Sequence, residues 1–439
     1  MPLEKKSSSD IAKEQMLYTI DDKPPVGVSL VLALQHILAA FAGIIAVPLV
    51  VAGALQLSVE DTAIMVSASI FVAGLATILQ SKGLGPVGSR VSGMMGTDFT
   101  FANPAISVGS RFGIAGIVGA TIAGALVEIL LSRFIRPLMR FFPPLITGTV
   151  VALIGITLLP VSMDWAAGGS GANDYGSVEN ITIAAVVMVF TLLLNYYGKG
   201  LWSTASVFIG MIFGYSLCIF LGKVDLSAVH NAAWFALPKV FNYGVMFNLS
   251  AILSFVPAYV VSLIGTVGIM MAIGEASDFK MTSERAANGV LADGVGSMLA
   301  GLFGAGPNTA FSQNVGLITL TKVASRHVMI IAGLLLAFLG VFPKLSALIA
   351  IMPQPVLGGV GVIMFGLVAA QGIKTLATVK IGDRELLIIS VEFALGIGVT
   401  VRPELLVGLP VPIQMILSSG ISTGTLAALL LNLVLKEKD

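Results

Sequence analysis

The sequence predicts an all-α polytopic membrane protein, and two observations support that prediction. Hydrophobic residues make up 56% of the 439 residues and charged residues only 11%, whereas about a quarter of the residues in soluble domains are charged. Long stretches also contain no Asp, Glu, Lys or Arg, for example between Lys23 and Glu60 and between Lys239 and Glu275. A bilayer-spanning helix needs roughly 20 apolar residues, so each of these stretches can hold a span.

Hydropathy and turn signals divide the chain into about fourteen apolar segments of spanning or half-spanning length. Their approximate ranges are 28–53, 59–80, 87–109, 113–134, 142–161, 180–197, 202–222, 249–274, 288–304, 309–321, 327–343, 347–372, 385–401 and 411–435. Two of them, 87–109 and 309–321, form poor helices because Gly and polar residues interrupt them. Irregular backbone is not stable against lipid, so these two segments are predicted to lie inside the protein or to line a cavity.

Composition excludes several functional classes. A net charge of +1 gives no electrostatic basis for binding nucleic acid. The single cysteine, Cys218, excludes a disulfide framework, and no Cys/His spacing typical of a zinc site occurs. The histidines lie in separate regions, and no Ser/His/Asp constellation accompanies them. The sequence therefore predicts no metal, no cofactor, no catalytic residues and no enzyme; the three histidines are His36, His230 and His327.

The polar tail, residues 1–25, predicts the orientation in the membrane. It lacks the apolar stretch and cleavage site of a signal peptide, so it is expected to be retained as a solvated tail. Lysines close to the first span favour a cytoplasmic location. Lys436 and Lys438 end the chain in the same way, which predicts an even number of spans with both termini in the cytoplasm.

An internal repeat indicates that the two halves are related. Pro144-Leu-Ile-Thr-Gly148 matches Pro355-Val-Leu-Gly-Gly359 at an offset of 211 residues, and Phe99 and Phe311 of the two interrupted segments lie 212 residues apart. An odd number of spans in each half makes the halves antiparallel in the membrane. Inverted repeats with paired interrupted helices indicate a substrate site near the membrane midplane of a transporter.

The second interrupted segment carries the polar residues with the clearest chemistry. Gln313 lies in an apolar run, where an unpaired amide would cost several kcal/mol. Its amide presents one acceptor and two donors in a plane, which matches the alternating N–H and C=O edge of an oxopurine or a pyrimidine. Asn314 is predicted to cap the following half-helix. The alternative interpretation of Gln313 is an interhelical hydrogen bond.

The string Gln313-Asn314-x-Gly316, followed by Thr321-Lys322, resembles the signature of the nucleobase–ascorbate transporter family, also called nucleobase:cation symporter-2. The resemblance covers nearly the whole chain and is closest to bacterial xanthine and uric acid permeases, since uracil permeases usually carry Glu at the position of Gln313. Further matching strings are Gln35-His36, Gly96-x-x-Phe99, Asp164-Trp-Ala-Ala-Gly-Gly169, Ala292-Asp293-Gly294 and Pro353-x-x-Val356-Leu-Gly-Gly359.

For the fold, this resemblance implies about fourteen spans in a seven-plus-seven (7+7) inverted repeat. The repeat divides into a core domain, residues 26–134 and 249–343, and a gate domain, residues 135–248 and 344–435. Short strands are expected in spans three and ten, and the protein is expected to form a homodimer in the cell membrane.

For the site, the resemblance implies that Phe99 stacks on the base, a contact worth ~1–3 kcal/mol by analogy with other base–aromatic stacking. Backbone around Ser312 and the amide of Gln313 would contact its polar edge. His36 would support the site by linking spans one and three, with a direct role as the alternative.

The chain departs from the family at Gly265, where the family's eighth span carries a Glu that hydrogen-bonds the base; Ile269 replaces a second acid. The change removes an acceptor for ring N–H groups and the obvious carrier of a coupling proton. Three interpretations are open: Asp98 supplies a substitute acid, Gly265 widens the pocket for another cargo, or the chain is a weakly active variant. An intramembrane Asp is a functional candidate by default, and the alternative for Asp98 is a helix cap.

Other acids are assigned by position. Asp293 is predicted to hold core helices together, with a proton relay as the alternative. Glu128 lies near a span end, where an interfacial position is expected. Glu392 is predicted to pair with Arg402.

Together, the residues and the resemblance predict a secondary transporter that imports xanthine or uric acid with protons, by movement of core against gate. The alternatives are a uracil or other nucleobase permease, an anion carrier of the sulfate-carrier fold, and a membrane-embedded enzyme.

Overall fold

The computed structural model describes residues 16–135, 137 and 141–435. Most of the predicted tail (1–15) and the C-terminal lysines lie outside the described residues. Regular structure in the described part is helical apart from a single two-stranded sheet. The predicted all-α class with short strands is therefore confirmed.

The first half of the chain contains one strand and eight helices of the described set. They are α1 Val26–Ala54, α2 Val59–Lys82, β1 Met95–Thr97, α3 Ala102–Leu131, α4 Pro144–Ala166, α5 Val178–Tyr197, α6 Leu201–Thr204, α7 Ser206–Phe220 and α8 Ser227–Asn231. Short 3₁₀ turns precede and follow α3, at Phe99–Phe101 and Ser132–Phe134.

The second half again contains one strand among helices. Its elements are α9 Leu249–Ala276, α10 Ser283–Phe303, β2 Asn308–Ala310, α11 Gln313–Thr321, α12 Arg326–Leu339, α13 Pro343–Ala350, α14 Gln354–Leu376, α15 Asp383–Val401, α16 Val411–Leu417 and α17 Gly420–Val434. A further 3₁₀ turn, Pro403–Leu406, separates α15 from α16.

Eight of the described helices are long and apolar enough to cross a membrane, and the number rises to ten if each of two bent pairs forms one span. The bent pairs are α12 with α13, at 79°, and α16 with α17, at 87°. The predicted segment 87–109 contains β1 followed by helix, and the segment 309–321 begins within β2 and continues into α11, as expected for interrupted spans. Gly113, with φ 65° and ψ −172°, breaks α3 at the predicted boundary between two segments, a conformation that glycine adopts without steric strain.

The helices pack in two groups. In the first, α2 packs against α10, α12 and α13, while α3 packs against α9 and α10. In the second, α14 packs against α4 and α5, and α15 packs against α17. Large apolar side chains such as Leu192, Phe220 and Leu430 point outward and are exposed, as expected for a surface that faces lipid.

Glycines allow the closest helix approach in the second group. A Cβ atom built on Gly155 of α4 would lie 2.3 Å from the backbone N of Ala369, and one on Gly372 of α14 would lie 2.2 Å from the backbone N of Ala152. Small residues let membrane helices approach backbone to backbone where no hydrophobic driving force exists between them. Gly155 belongs to the first copy of the sequence repeat.

The end of the N-terminal tail is ordered. The Leu17 N–H donates to the Lys322 carbonyl at 2.8 Å, and the Ala324 N–H donates to the Tyr18 carbonyl at 2.9 Å. Asp21 accepts from Nε of Arg326 at 2.7 Å. Residues 17–22 therefore pair with the loop between α11 and α12 and with Arg326, although Leu17, Thr19, Asp21 and Asp22 stay exposed as expected for a solvated tail.

Candidate substrate site

The two interrupted segments meet in the two-stranded sheet. β1 and β2 are antiparallel, with Met95 opposite Ala310 and Thr97 opposite Asn308. The Phe311 N–H extends the pairing by donating to the Met94 carbonyl at 2.8 Å. A helical segment follows each strand within two residues. The sheet therefore fixes the starts of both half-helices relative to each other.

Glycine is required where α1 approaches this sheet. A Cβ atom built on Gly96 would lie 2.7 Å from Cγ1 of Ile44 and 2.8 Å from Cζ of Phe311. The Thr97 hydroxyl donates to the Ile44 carbonyl at 2.8 Å. The lack of a side chain at Gly96 lets α1 approach β1 closely, and the Thr97 hydrogen bond holds the two elements together.

Asp98 caps the first half-helix. It is buried, and its carboxylate accepts from the Thr100 N–H at 2.8 Å. Its own N–H donates to the Pro307 carbonyl at 3.0 Å. Asp98 therefore acts as a helix cap, the alternative to a functional acid, and the cap uses its Oδ1.

Phe99 lies where the two helix groups meet. Its half-buried ring packs edge-on against Phe365 of α14, with ring centroids 5.5 Å apart. Phe365 in turn lies 6.3 Å from the Trp165 ring of α4. Sequence reasoning missed Phe365, because a phenylalanine in an apolar run carries no signal that separates it from ordinary core residues.

The second half-helix begins without a side-chain cap. Ser312 precedes α11, no described side chain caps that helix, and both Ser312 and Gln313 are exposed. The first N–H groups of a helix have no intrahelical acceptor. The amide of Gln313 and the start of α11 are thus available to a ligand.

Asn314 does not cap α11, so that prediction is wrong. Asn314 is buried, and its Nδ2 donates to the His36 carbonyl at 3.0 Å and to Nδ1 of His36 at 2.9 Å. An amide nitrogen can only donate, so Nδ1 of His36 accepts and Nε2 carries the proton of a neutral ring. His36 therefore links α1 to α11, in place of the predicted link between spans one and three.

Gly265 faces open space. A Cβ atom built on Gly265 of α9 would meet no atom within 4 Å, and the same holds for Gly268. The neighbouring Thr266 hydroxyl donates to Asp293 of α10 and lies 3.1 Å from the hydroxyl of Thr309 in β2. Asp293 thus joins α10 to α9, and Thr266 joins α9 to β2; the helix-holding role of Asp293 stays a prediction.

Two other acids lie elsewhere than predicted. Glu128 is fully buried, so the expected interfacial position is wrong. Glu392 accepts a hydrogen bond from Thr149 rather than pairing with Arg402, whose guanidinium lies 3.9 Å from Glu404. No group of three His, Cys, Asp or Glu side chains in the described part of the chain could hold a metal ion.

Comparison with known proteins places this geometry in a family. The sequence profile of a permease family, that of the xanthine/uracil permeases, matches residues 27–405. A Clostridium perfringens protein provisionally named a purine permease is 58% identical over 422 residues, which cover 96% of this chain and 93% of the relative. The uric acid transporter UacT of Escherichia coli is 39% identical over 412 residues, covering 92% of this chain and 86% of the relative.

A solved structure has the same fold. The transmembrane domain of the cyanobacterial bicarbonate transporter BicA superposes with a TM-score of 0.59 at 12% identity, covering 94% of this chain and 99% of that domain. At this identity the likeness concerns the fold alone. The matched profile, the two relatives and the signature at Gln313 agree, and this chain belongs to the xanthine/uracil permease (nucleobase–ascorbate transporter) family, as a multi-pass membrane permease and not an enzyme.

Proposed function

We propose that the protein imports a purine nucleobase, xanthine or uric acid, together with protons. The observation that carries the proposal is the uncapped start of α11, where Ser312 and Gln313 are exposed. A helix N-terminus attracts negative charge and offers N–H donors. An oxopurine carries carbonyl oxygens and, as urate, a negative charge that these donors complement.

The remaining contacts complete a site for a flat, polar base. The Gln313 amide supplies both donors and an acceptor for the alternating edge of the purine. The face of Phe99 supplies stacking, and Phe365 closes the apolar side from the second helix group. The printed names of the two relatives, a purine permease and a uric acid transporter, support a purine as cargo.

The proposal includes the architecture that carries out transport. Fourteen spans in a 7+7 inverted repeat are reached if α3 is divided at Gly113 and if β2 with α11 counts as a span, as do α7 and α15. The first helix group acts as the core domain and the second as the gate domain, and their relative movement exposes the site to each side. Two chains form a homodimer in the cell membrane with both termini in the cytoplasm.

Asp98 is proposed as the acid that contacts the base in place of the missing Glu at Gly265. Its position directly before Phe99 supports this role, and its second carboxylate oxygen is not needed for the cap. If Asp98 only caps the helix, Gly265 is expected either to admit a different cargo that fills the open space or to leave transport weak.

Uptake of radiolabelled xanthine and urate into cells that express the protein tests the proposal. Proton symport predicts concentrative uptake that collapses when an uncoupler is added. Full concentrative uptake in the presence of the uncoupler would contradict proton symport, and the absence of any purine uptake would contradict the purine assignment.

An anion carrier is the second candidate, because the bicarbonate transporter domain shares the fold. A uracil permease is the third. Uptake of labelled bicarbonate, sulfate and uracil in the same cells separates these candidates, since the purine proposal predicts uptake of none of them above the level of cells without the protein.

A further inference from the structure

A second polar feature lies deep in the first helix group, away from the sheet ends. Glu128 of α3 and Asp293 of α10 are both fully buried, and each directly precedes a residue at which the two packed helices touch, Ile129 and Gly294. The two helices approach closely here, since a Cβ atom built on Gly294 would lie 2.8 Å from Cγ1 of Ile129. Helix packing therefore forces the two acids together.

The surroundings do not supply a donor for this contact. Within the described residues, no N–H or O–H group donates to either oxygen of Glu128 or to Oδ1 of Asp293. Thr266 donates to the remaining oxygen, Oδ2 of Asp293. Two buried ionised carboxylates in contact would repel each other and lack solvation. A carboxyl–carboxyl hydrogen bond forms only when one proton is shared between the two groups.

The other titratable groups around the pair add no positive charge. Asp98 comes close from the first half-helix and Tyr259 from α9. The Tyr259 hydroxyl donates to the Thr121 carbonyl at 2.7 Å, so its proton is committed elsewhere. No Lys, Arg or His of the described chain forms an ion pair with either acid. The pair therefore has no neighbouring cation in the described chain, and a bound proton would remove the charge of one acid.

A short chain of hydroxyl groups connects the pair to the candidate substrate site. The single proton of Thr266 is donated to Asp293, so the 3.1 Å contact between Thr266 and Thr309 requires Thr309 to donate. Thr309 lies in β2, three residues before Ser312, and Thr266 directly follows Gly265. A change of protonation at Asp293 is therefore passed by hydrogen bonds to Thr266, next to Gly265, and to Thr309 in β2.

We propose that Glu128 and Asp293 together hold the proton that is coupled to import, so that the coupling acid has moved from the position of Gly265 to α3. The proposal rests on the proposed purine–proton symport. The shared proton binds from one side of the membrane and is released to the other when core and gate have moved, and no covalent bond changes.

Reconstituted protein tests this assignment with Glu128→Gln, which keeps the size of the side chain but cannot share an acidic proton. Glu392→Gln is the matched control, because Glu392 is also a fully buried acid that accepts from a threonine, in the other helix group. A pH difference of about one unit, inside alkaline, drives up to about tenfold accumulation in one-proton symport. Exchange of labelled for unlabelled xanthine without a gradient measures binding and movement alone.

Glu128→Gln is expected to retain exchange but to lose gradient-driven accumulation, so that the xanthine concentrations inside and outside become equal. Glu392→Gln is expected to retain both exchange and accumulation. Full accumulation by Glu128→Gln, equal loss in Glu392→Gln, or a wild type that exchanges xanthine without proton-driven accumulation would overturn the assignment. A wild type that exchanges no purine would instead contradict the proposed function. Infrared difference spectra between wild type and Glu128→Gln then test the pair itself: at neutral pH the variant should lose one protonated-carboxyl C=O component, while those of other buried acids such as Glu392 remain. A spectrum with no lost component would overturn the shared proton.

Discussion

The two half-helices begin alike and differ in how their first N–H groups are satisfied. The first follows β1 and is capped by Asp98, which accepts from the Thr100 N–H at 2.8 Å. The second follows β2, and no described side chain caps it. A helix cap contributes about 1 kcal/mol, so the second segment forgoes that stabilisation within an apolar protein.

This difference suggests a different contribution of each segment to the proposed substrate site. The first is satisfied within the chain and contributes an aromatic face, Phe99. The second has no side-chain cap, which leaves its start open to the proposed ligand, while its Asn314 fastens it to His36 of α1. The start of α11 is exposed at Ser312 and Gln313, so the proposed ligand can reach donors that no side chain of the described chain caps.

The largest effect is expected at the uncapped segment. Gln313→Ala removes the amide that is proposed to contact both donors and acceptors of the base, and purine uptake should then fall by about 100-fold or more. The matched control is Gln371→Ala, an exposed amide on α14, which should leave uptake unchanged. Uptake assays at equal membrane abundance measure both, and an active Gln313→Ala protein would move the site away from α11.

The aromatic contribution of the first segment should be the next largest. Phe99→Ala removes stacking worth about 1–3 kcal/mol, which corresponds to a loss of affinity of about 5- to 150-fold. Phe338→Ala, which truncates a ring that is 56% exposed on α12, is the control. Direct binding of labelled xanthine measures the difference, and equal affinities would show that Phe99 only packs against Phe365.

The cap itself can be separated from an acidic role. Asn and Ser both cap helices well, so Asp98→Asn and Asp98→Ser should fold normally. If Asp98 also contacts the base, both variants should lose about tenfold or more in uptake, which is the scale of a hydrogen bond to a charged group. A fully active variant with either substitution would restrict Asp98 to capping.

The smallest effect concerns the open space at Gly265. Gly265→Glu should fit, because no atom lies within 4 Å of a Cβ atom built there, and Gly268→Glu meets the same open space one turn away. We expect Gly265→Glu to change the ranking of xanthine, urate and uracil by about threefold or more, the scale of one modest hydrogen bond. A competition assay that finds the same ranking in both variants and in wild type would remove Gly265 from the site.

Much of the fold could be predicted from the sequence because bilayer crossing imposes length and composition. The strands at 95–97 and 308–310 lie at or beside the two segments whose Gly and polar residues excluded a continuous helix. The break at Gly113 coincides with a predicted boundary for the same reason. Local chain chemistry decides such features, so a single sequence is sufficient to locate them.

Contacts between distant segments could not be predicted in the same way. Asn314 looked like a cap because its local position allowed one, but its partner His36 lies 278 residues away. Glu128 looked interfacial because its segment ends a few residues later, but α9 and α10 cover it. Tyr259 of α9 packs against Gly124 of α3, the helix that carries Glu128, and a Cβ atom built on Gly124 would lie 2.4 Å from the Tyr259 ring. Burial of this kind depends on helix packing that no local pattern records.

The central claim is that a purine binds to the uncapped start of α11 and to Phe99, and direct binding to purified protein tests it most closely. Thermal-shift titrations with xanthine, urate, guanine, hypoxanthine, uracil and bicarbonate should be made on wild type, Gln313→Ala and Gln371→Ala. The account predicts stabilisation by xanthine or urate in wild type and Gln371→Ala, and none in Gln313→Ala. Stabilisation of wild type by bicarbonate or uracil alone, or equal stabilisation of all three proteins by xanthine, would contradict it.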